Sequence, residues 1–327
     1  MKKLTLAVAV AGALVAGTAN AYNIGQAATG LLVPNVIHNG AADTTTVGIV
    51  SRNAGTVYWV FFDMDSMHVT DGQFKVTAND QHNFVWAAEA GIGLEGERGY
   101  LVFTLDANND GVIAHSDAIG YMTGNAFQVN TAAKDVAFLP TLGLVANADL
   151  SATTAAAATS DYVLPVSLAT MQGDSIQSAR LSAVQAGDRI DLRYFIDNKT
   201  GGDDTVLAFW TADEMPAPIV WTVDMYDNAQ NRKSVNFPLV NDNLNFINVE
   251  DIAGRPANFL DGFLNVRVPA FNTLTPGLRT ATDNCPDPYA HSATGNVTAN
   301  CVGGVISYSV ISSPSFGAVQ TLIGTHN

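Results

Sequence analysis

Cysteine and basic residues are scarce in this sequence, and both shortages exclude classes of protein. Only 2 of its 327 residues are cysteine, and Lys and Arg together number 15 against 30 Asp and Glu. The formal net charge is −15, and the basic residues are scattered along the chain. The basic face that nucleic-acid binding requires is therefore missing. Two cysteines without a CxxC pair also exclude the common structural zinc sites.

Long apolar runs are missing after the N-terminal segment. That segment, MKKLTLAVAVAGALVAGTANA, has two lysines, a short apolar run and an A-x-A motif ending at Ala21. This pattern predicts a bacterial secretory signal over residues 1–21. No later stretch has the length of a membrane-spanning helix. We therefore expect a mature chain without a membrane span, secreted to the cell surface or the extracellular space, with the periplasm as the alternative.

Catalytic signatures are also missing. Serine is frequent, but no G-x-S-x-G elbow occurs. Carboxylates pair in sequence at Asp63 and Asp65, and again at Asp224 and Asp227. Because both pairs follow similar apolar runs, a turn or a second cation site fits them better than the paired carboxylates of a glycosidase. We expect that the protein is not an enzyme.

The chain does contain many short runs with a period of two. In YLVFTL, the apolar residues Leu101, Phe103 and Leu105 alternate along the run, which is typical of a half-buried strand. The run TVYWVFFDM is more continuously apolar, as in a strand covered on both faces. Clusters of Asn, Asp and Gly separate the runs, as turns require. The sequence predicts an all-β fold of antiparallel sandwiches.

Segments of the two halves of the chain resemble each other in the same order. IHNGAADTTTVGIVS (37–51) matches IDNKTGGDDTVLAFW (196–210), and RGYLVFTL (98–105) matches DGFLNVRV (261–268). Trp59 lies opposite Trp221 inside apolar runs, and both are predicted to be core residues. The order of these matches predicts two tandem, Ig-like β-sandwich domains that arose from an internal duplication.

The predicted boundary between the domains is a segment rich in Ala, Thr and Ser at residues 147–162. The first domain would span 22–146 and the second 163–327. Trp86 and Trp210 lack the recurring strand context of the other two tryptophans. They are therefore the candidates for aromatic side chains that face a ligand.

Oxygen-bearing side chains follow the run YLVFTL at regular positions. Counting from Asp106 as position 1, side-chain oxygens recur at positions 3, 5 and 12, and Gly111 at position 6 permits a sharp turn. Calcium takes six to eight hard oxygen ligands in a compact cage. The predicted ligands are Asp106, Asn108, Asp110, the carbonyl of Val112, and Asp117.

With this spacing, residues 105–122 resemble the calcium loop of EF-hands and, through the closing Asp117, that of dockerins. The resemblance implies one bound Ca²⁺. The loop follows a strand instead of a helix and occurs once, so cohesin binding is not implied. An ordinary Asn/Asp-rich turn remains the alternative.

The two cysteines, Cys285 and Cys301, lie in a long segment that follows the run FLNVRV. Export permits a disulfide between them, and closing a loop of this size adds about 3 kcal/mol of stability. The calcium-type loop follows the matching run in the first half. Each domain is therefore predicted to secure the same connection by a different device, a metal or a disulfide.

Two functions follow from these features. The first is a secreted calcium-binding structural protein of the bacterial cell exterior, a subunit of a surface layer, matrix or filament. Its partners would be other copies of itself or other cell-surface components. The second is a secreted carbohydrate-binding or hydrolase-accessory protein that uses Trp86 and Trp210.

Overall fold

The computed structural model of the chain is nearly all β. It describes residues 27–28, 30–65, 67–107, 109, 122–131, 134–144, 189–197, 202, 204–211, 218–241, 243–267, 305–313 and 318–326. Among these residues the one helix, α1 (Trp86–Glu89), has four residues, and no helix has the length and apolar character needed to cross a membrane. The first-half strands are β1 (Gly30–Ile37), β2 (Asp43–Ser51), β3 (Gly55–Asp63), β4 (His68–Val76), β5 (Asp80–Val85), β6 (Arg98–Asp106), β7 (Met122–Asn130), β8 (Asp135–Leu139) and β9 (Leu142–Leu144). The second-half strands are β10 (Arg189–Phe195), β11 (Asp204–Thr211), β12 (Ile219–Asp227), β13 (Arg232–Leu239), β14 (Leu244–Asn248), β15 (Asp261–Arg267), β16 (Val305–Ser313), β17 (Ala318–Ile323) and β18 (Thr325–His326).

The strands form four antiparallel sheets, two in each half. The first outer sheet has the order β5-β2-β7-β8, and the first inner sheet has the order β4-β3-β6-β1-β9. The second inner sheet is β14-β11-β16-β17, and the second outer sheet is β13-β12-β15-β10-β18. The predicted all-β class of antiparallel sandwiches is therefore confirmed.

The core of the first half lies between its two sheets. Leu101, Phe103 and Leu105 of β6 point into it with Trp59 and Phe84, as the period-two pattern predicts. Trp59 stands edge-on to Phe84 with ring centroids 5.4 Å apart. The core of the second half contains Trp221, which is 5% exposed. Both tryptophans predicted to be core residues are therefore confirmed as such.

The two inner sheets pack against each other, so the halves form a stack of four layers. Tyr100 of β6 stands edge-on to Trp210 of β11 with ring centroids 5.8 Å apart. The guanidinium of Arg98 lies 4.5 Å from the centroid of the Phe246 ring, and the Met64 carbonyl accepts a hydrogen bond from the Leu244 N–H. One apolar cluster contains side chains of both halves. The continuously apolar strands of the first inner sheet are explained by burial on both faces.

The two halves have the same strand order. Replacing β1 through β9 by β10 through β18 converts both sheet orders of the first half into those of the second. The inner sheet of the first half corresponds to the outer sheet of the second, so the halves stack head to tail. The predicted boundary at 147–162 lies outside the described residues, and the Ig-like duplication stays a prediction.

Candidate metal centre

The calcium-type loop begins at the last residue of a strand that is buried on both faces. Asp106 ends β6 and has no exposed surface. It pairs with Thr56 of β3, and a Cβ on the neighbouring Gly55 would lie 2.3 Å from the Asp106 carbonyl oxygen. Glycine is therefore required at position 55. This close approach of β3 fixes the end of β6 and the carboxylate that it carries.

The chain turns back on itself immediately after this carboxylate. Asn109 has a φ of 60°, a left-handed conformation that Asn tolerates better than most residues. Its backbone N–H donates a 2.7 Å hydrogen bond to Oδ1 of Asp106. Its own Oδ1 accepts a 2.7 Å hydrogen bond from Oγ1 of Thr56. Two hydrogen bonds thus fix Asn109, one to Asp106 and one to Thr56 of β3.

Sequence reasoning did not single out Asn109, because position 4 of the loop supplies no calcium ligand. The signal that was available is the Asn-Asn-Asp-Gly run, since Asn is common in left-handed turn positions. Thr56 was equally hidden, because it lies 53 residues away in sequence. Only the pairing of β3 with β6 brings it to the loop.

Asp106 is a buried carboxylate at the start of the predicted loop, and it accepts the hydrogen bond from Asn109. Burying an ionised carboxylate costs several kcal/mol unless hydrogen bonds, an opposite charge or a metal compensate. A hard divalent ion bound by the oxygens that follow in the sequence would supply that opposite charge. Of the predicted ligands, only Asp106 is among the described residues, and Asn108, Asp110, Val112 and Asp117 lie outside them. Within the described part of the chain, no three His, Cys, Asp or Glu side chains group as metal ligands.

The carboxylates that follow β3 and β12 hold turns. Oδ1 of Asp63 accepts hydrogen bonds from the N–H groups of Asp65 and Met67, at 3.0 and 2.8 Å. Oδ1 of Asp227 accepts from Ala229 and Asn231 at 3.0 and 2.8 Å. Asp63 is therefore the counterpart of Asp227, and the sequence match of Trp59 with Trp221 is wrong by two residues. The turn interpretation is confirmed for Asp63 and Asp227, whereas Asp224 lies within β12 and forms an ion pair with Arg232.

The calcium-type loop and the cysteine-containing segment occupy the same place in the strand order of their halves. The calcium-type loop joins β6 to β7, and the cysteine-containing segment joins β15 to β16. Each connection passes from the centre of a five-stranded sheet to a four-stranded sheet. Cys285 and Cys301 lie outside the described residues, so their disulfide stays a prediction.

The prediction of ligand-facing tryptophans at positions 86 and 210 is wrong. Trp86 and Trp210 are 0% and 1% exposed. Trp86 packs on Phe61 with ring centroids 4.6 Å apart, inside the first sandwich. Trp210 points away from its own sandwich, but that face of β11 is covered by Tyr100 of the first half. Both indoles therefore fill the interior of the stack.

Comparisons with known proteins add little to this geometry. No family model matches the chain, and no curated protein matches it. Among solved structures, the chain is similar to the 7S globulin of Momordica charantia, with 10% identity over 74% of this chain and 67% of that chain. The TM-score is 0.19, which is too low to support any argument about fold or function. The strand pairing of the chain itself is what defines its architecture.

Proposed function

We propose that this chain is a secreted, calcium-binding structural protein of the bacterial cell exterior, a subunit of a surface layer, matrix or filament. The observation that carries the proposal is the buried carboxylate of Asp106, which the Asn109 turn holds at the mouth of the predicted loop. The predicted secretory signal supports the location. The proposal includes an origin of the two halves by duplication, which their common strand order supports.

Calcium in this loop acts as a brace. A connection between two sheets is costly to order, because each residue fixed in one conformation loses about 1–2 kcal/mol of entropy. Ligands from Asp106 to Asp117 would tie most of the β6–β7 connection to one point. A metal that binds only the folded state stabilises that state by mass action. Asp106 would anchor the ion to the core, and Asn108, Asp110, Asp117 and the Val112 carbonyl would complete the cage.

Assembly would use the edge strands. β4 and β13 are at the edges of their five-stranded sheets, and edge strands offer free backbone groups to another chain. β13 contains Pro238, which has no N–H to offer a partner, so β4, which contains no proline, is the more suitable edge. A second copy is the simplest partner for such an edge.

The proposal is tested by the mass of the mature chain in solution with and without calcium. Light scattering should show larger assemblies in calcium than in EDTA. Asp110→Asn should behave in calcium as the wild type does in EDTA, because it removes one carboxylate of the cage. Asp251→Asn, a change at an exposed residue of the second half, is the matched control and should assemble normally. A monomer under both conditions would contradict the structural role.

A carbohydrate-binding function remains the second candidate, although it loses the two tryptophans on which it was first based. The half-exposed, stacked pair Tyr226 and Phe263 on the second outer sheet favours it instead.

A further inference from the structure

The free face of the second outer sheet carries an aromatic pair that recurs inside the molecule. Tyr226 of β12 stacks on Phe263 of β15 with ring centroids 4.7 Å apart and planes 10° apart. The corresponding residues of the first inner sheet, Phe62 and Tyr100, stack at 5.2 Å and 19°. Phe62 and Tyr100 are buried against the second half, whereas Tyr226 and Phe263 are half-exposed. The pair is present on the free face although no part of the described chain covers it.

The neighbours of the pair differ completely between the two faces. In the first inner sheet the adjacent cross-strand row is Val60, Val102 and Leu32, and all three are buried. On the free face the corresponding row is Asp224, Asn265 and Asp191. Asn265 donates a hydrogen bond of 2.6 Å from Nδ2 to Oδ1 of Asp191. The free face therefore offers polar contacts around an aromatic centre.

Arginine surrounds this centre in a chain that has little of it. The aromatic row continues on both sides into arginine, with Arg232 next to Tyr226 and Arg193 next to Phe263. These two are neutralised, since Arg232 forms an ion pair with Asp224 at 2.8 Å and Arg193 forms one with Asp261. The same face also carries Arg189 and Arg267, and both are exposed.

Arg189 and Arg267 lie directly opposite each other on paired strands. Like charges in that position destabilise a sheet. In the described part of the chain neither guanidinium forms a close ion pair or hydrogen bond, although Arg189 interacts electrostatically with Asp224 in the neighbouring row. An anion between the two would remove the repulsion and accept charge-assisted hydrogen bonds from both.

We propose that this face binds an anionic polysaccharide, with a sugar ring against Tyr226 and Phe263 and an acidic substituent between Arg189 and Arg267. Aromatic faces suit the apolar side of a sugar ring, and the Asp and Asn side chains of the neighbouring row suit its hydroxyl groups. The proposal goes beyond the structural role and does not depend on calcium. It would give a protein of the cell exterior a means of holding acidic glycan.

The test measures the binding of fluorescent oligosaccharides to the full mature chain by fluorescence anisotropy. EDTA is present so that calcium cannot bridge the protein and the sugar. The probes are a hexasaccharide of a linear polyuronate and a neutral glucose hexasaccharide, with inorganic phosphate as competitor. The polyuronate should bind, and its affinity should fall as the salt concentration rises. The neutral sugar should bind at least about tenfold more weakly. Arg189→Gln and Arg267→Gln should each lower polyuronate affinity about tenfold. The matched control Arg52→Gln, at an exposed turn of the first half, should leave it unchanged.

Phe263→Leu separates ring stacking from charge, because it keeps an apolar side chain and removes the aromatic face. It should lower the affinity for polyuronate. The ability of phosphate to compete with polyuronate should be unaltered. Equal binding of the neutral sugar, an equal effect of Arg52→Gln, or displacement by phosphate at the same concentration as polyuronate would overturn the proposal. Displacement of the labelled sugar when copies of the chain associate with each other would also overturn it. A failed calcium titration would not affect any of these outcomes.

Discussion

At the scale of single residues, one threonine in each half satisfies the backbone at the end of a central strand. Oγ1 of Thr45 accepts a 2.9 Å hydrogen bond from the N–H of Ile37, the last residue of β1. Oγ1 of Thr205 accepts from the N–H of Phe195 at 2.9 Å and donates to its carbonyl at 2.7 Å. Both threonines are fully buried. β9 and β18 are too short to pair with the last residues of β1 and β10. The threonine hydroxyl takes the place of the missing backbone partner.

Thr205→Val should therefore cost more stability than Thr45→Val. Valine keeps the shape but removes both hydrogen bonds between Thr205 and the backbone of Phe195, each worth about 0.5–1.5 kcal/mol. Thr45→Val removes one hydrogen bond. The midpoints of urea unfolding measure the difference, with the exposed Thr222→Val as control. Equal midpoints for the two buried variants would contradict this account.

A pH dependence follows from Asp227. The side chain of Asn231, together with the N–H groups of Asn231 and Ala229, lowers the pKa of Asp227 below its usual value. A lowered folded-state pKa contributes stability that is complete above about pH 4 and is lost as pH falls through the folded pKa. Asp227→Asn should therefore reduce the acid sensitivity of unfolding below about pH 4. An unchanged slope of stability against pH in that range would show that this turn does not contribute to acid unfolding.

At the scale of elements, the start of β6 and the start of β15 need glycine. A Cβ on Gly99 would lie 2.0 Å from the carbonyl oxygen of Phe62, and one on Gly262 would lie 1.9 Å from that of Tyr226. Both contacts are with backbone that is held in a central strand pair. The strands can approach this closely only because neither glycine has a side chain.

Gly262→Ala should destabilise the second half by about 1–3 kcal/mol, the usual cost of overpacking. Gly48→Ala is the matched control, because its Cβ would meet its nearest neighbour, the Asn125 carbonyl, at an ordinary 3.9 Å. Thermal unfolding of the two variants gives the comparison. A melting temperature for Gly262→Ala as high as that of Gly48→Ala would show that β12 and β15 separate easily.

The sequence predicts the strands well because their signal is local. The alternation of Leu101, Phe103 and Leu105 identifies a buried face without knowledge of its partner. The register between the halves is not local, and the match of 37–51 with 196–210 is wrong by one residue over β2 and β11. The hydrogen bonds of Thr45 and Thr205 show that these two residues correspond.

The wrong prediction for Trp210 has a different cause, the packing of the first half on the face of β11 that carries it. A shift of one residue moves a side chain to the opposite face of its sheet. The corrected register places Trp210 opposite Val50, which is 43% exposed on the free face of the first outer sheet. In the second half the same face is covered by the first half. Sequence periodicity identifies the face of a strand, and it does not show that another sheet packs there.

At the scale of the whole molecule, the two halves depend on each other. The face that carries Val60, Val102 and Leu32 would be exposed to water if the first half stood alone. Burial of apolar surface contributes about 25 cal/mol per Å², so the separated halves lose a substantial part of their stability. The halves are then coupled in unfolding even if each has its own core.

Val60→Asp should uncouple them. The change introduces an unpaired charge at a position with no exposed surface, between the two inner sheets, and an unpaired buried charge costs several kcal/mol. Calorimetry should show one transition in the wild type and two in the variant. Val136→Asp, at a position 54% exposed on the free face of the first outer sheet, should keep one transition. Two transitions already in the wild type would mean that the interface contributes little.

The central claim is that the β6–β7 connection binds one calcium ion through Asp106 and the oxygens that follow it. Isothermal titration calorimetry of the mature chain tests it most directly, because binding is measured without any assumption about assembly. The wild type should bind one Ca²⁺ per chain, and Asp110→Ala should abolish or strongly weaken that binding, since it removes a ligand carboxylate. Absence of heat in the wild type, or unchanged binding in Asp110→Ala, would contradict the claim and make the loop an ordinary polar turn.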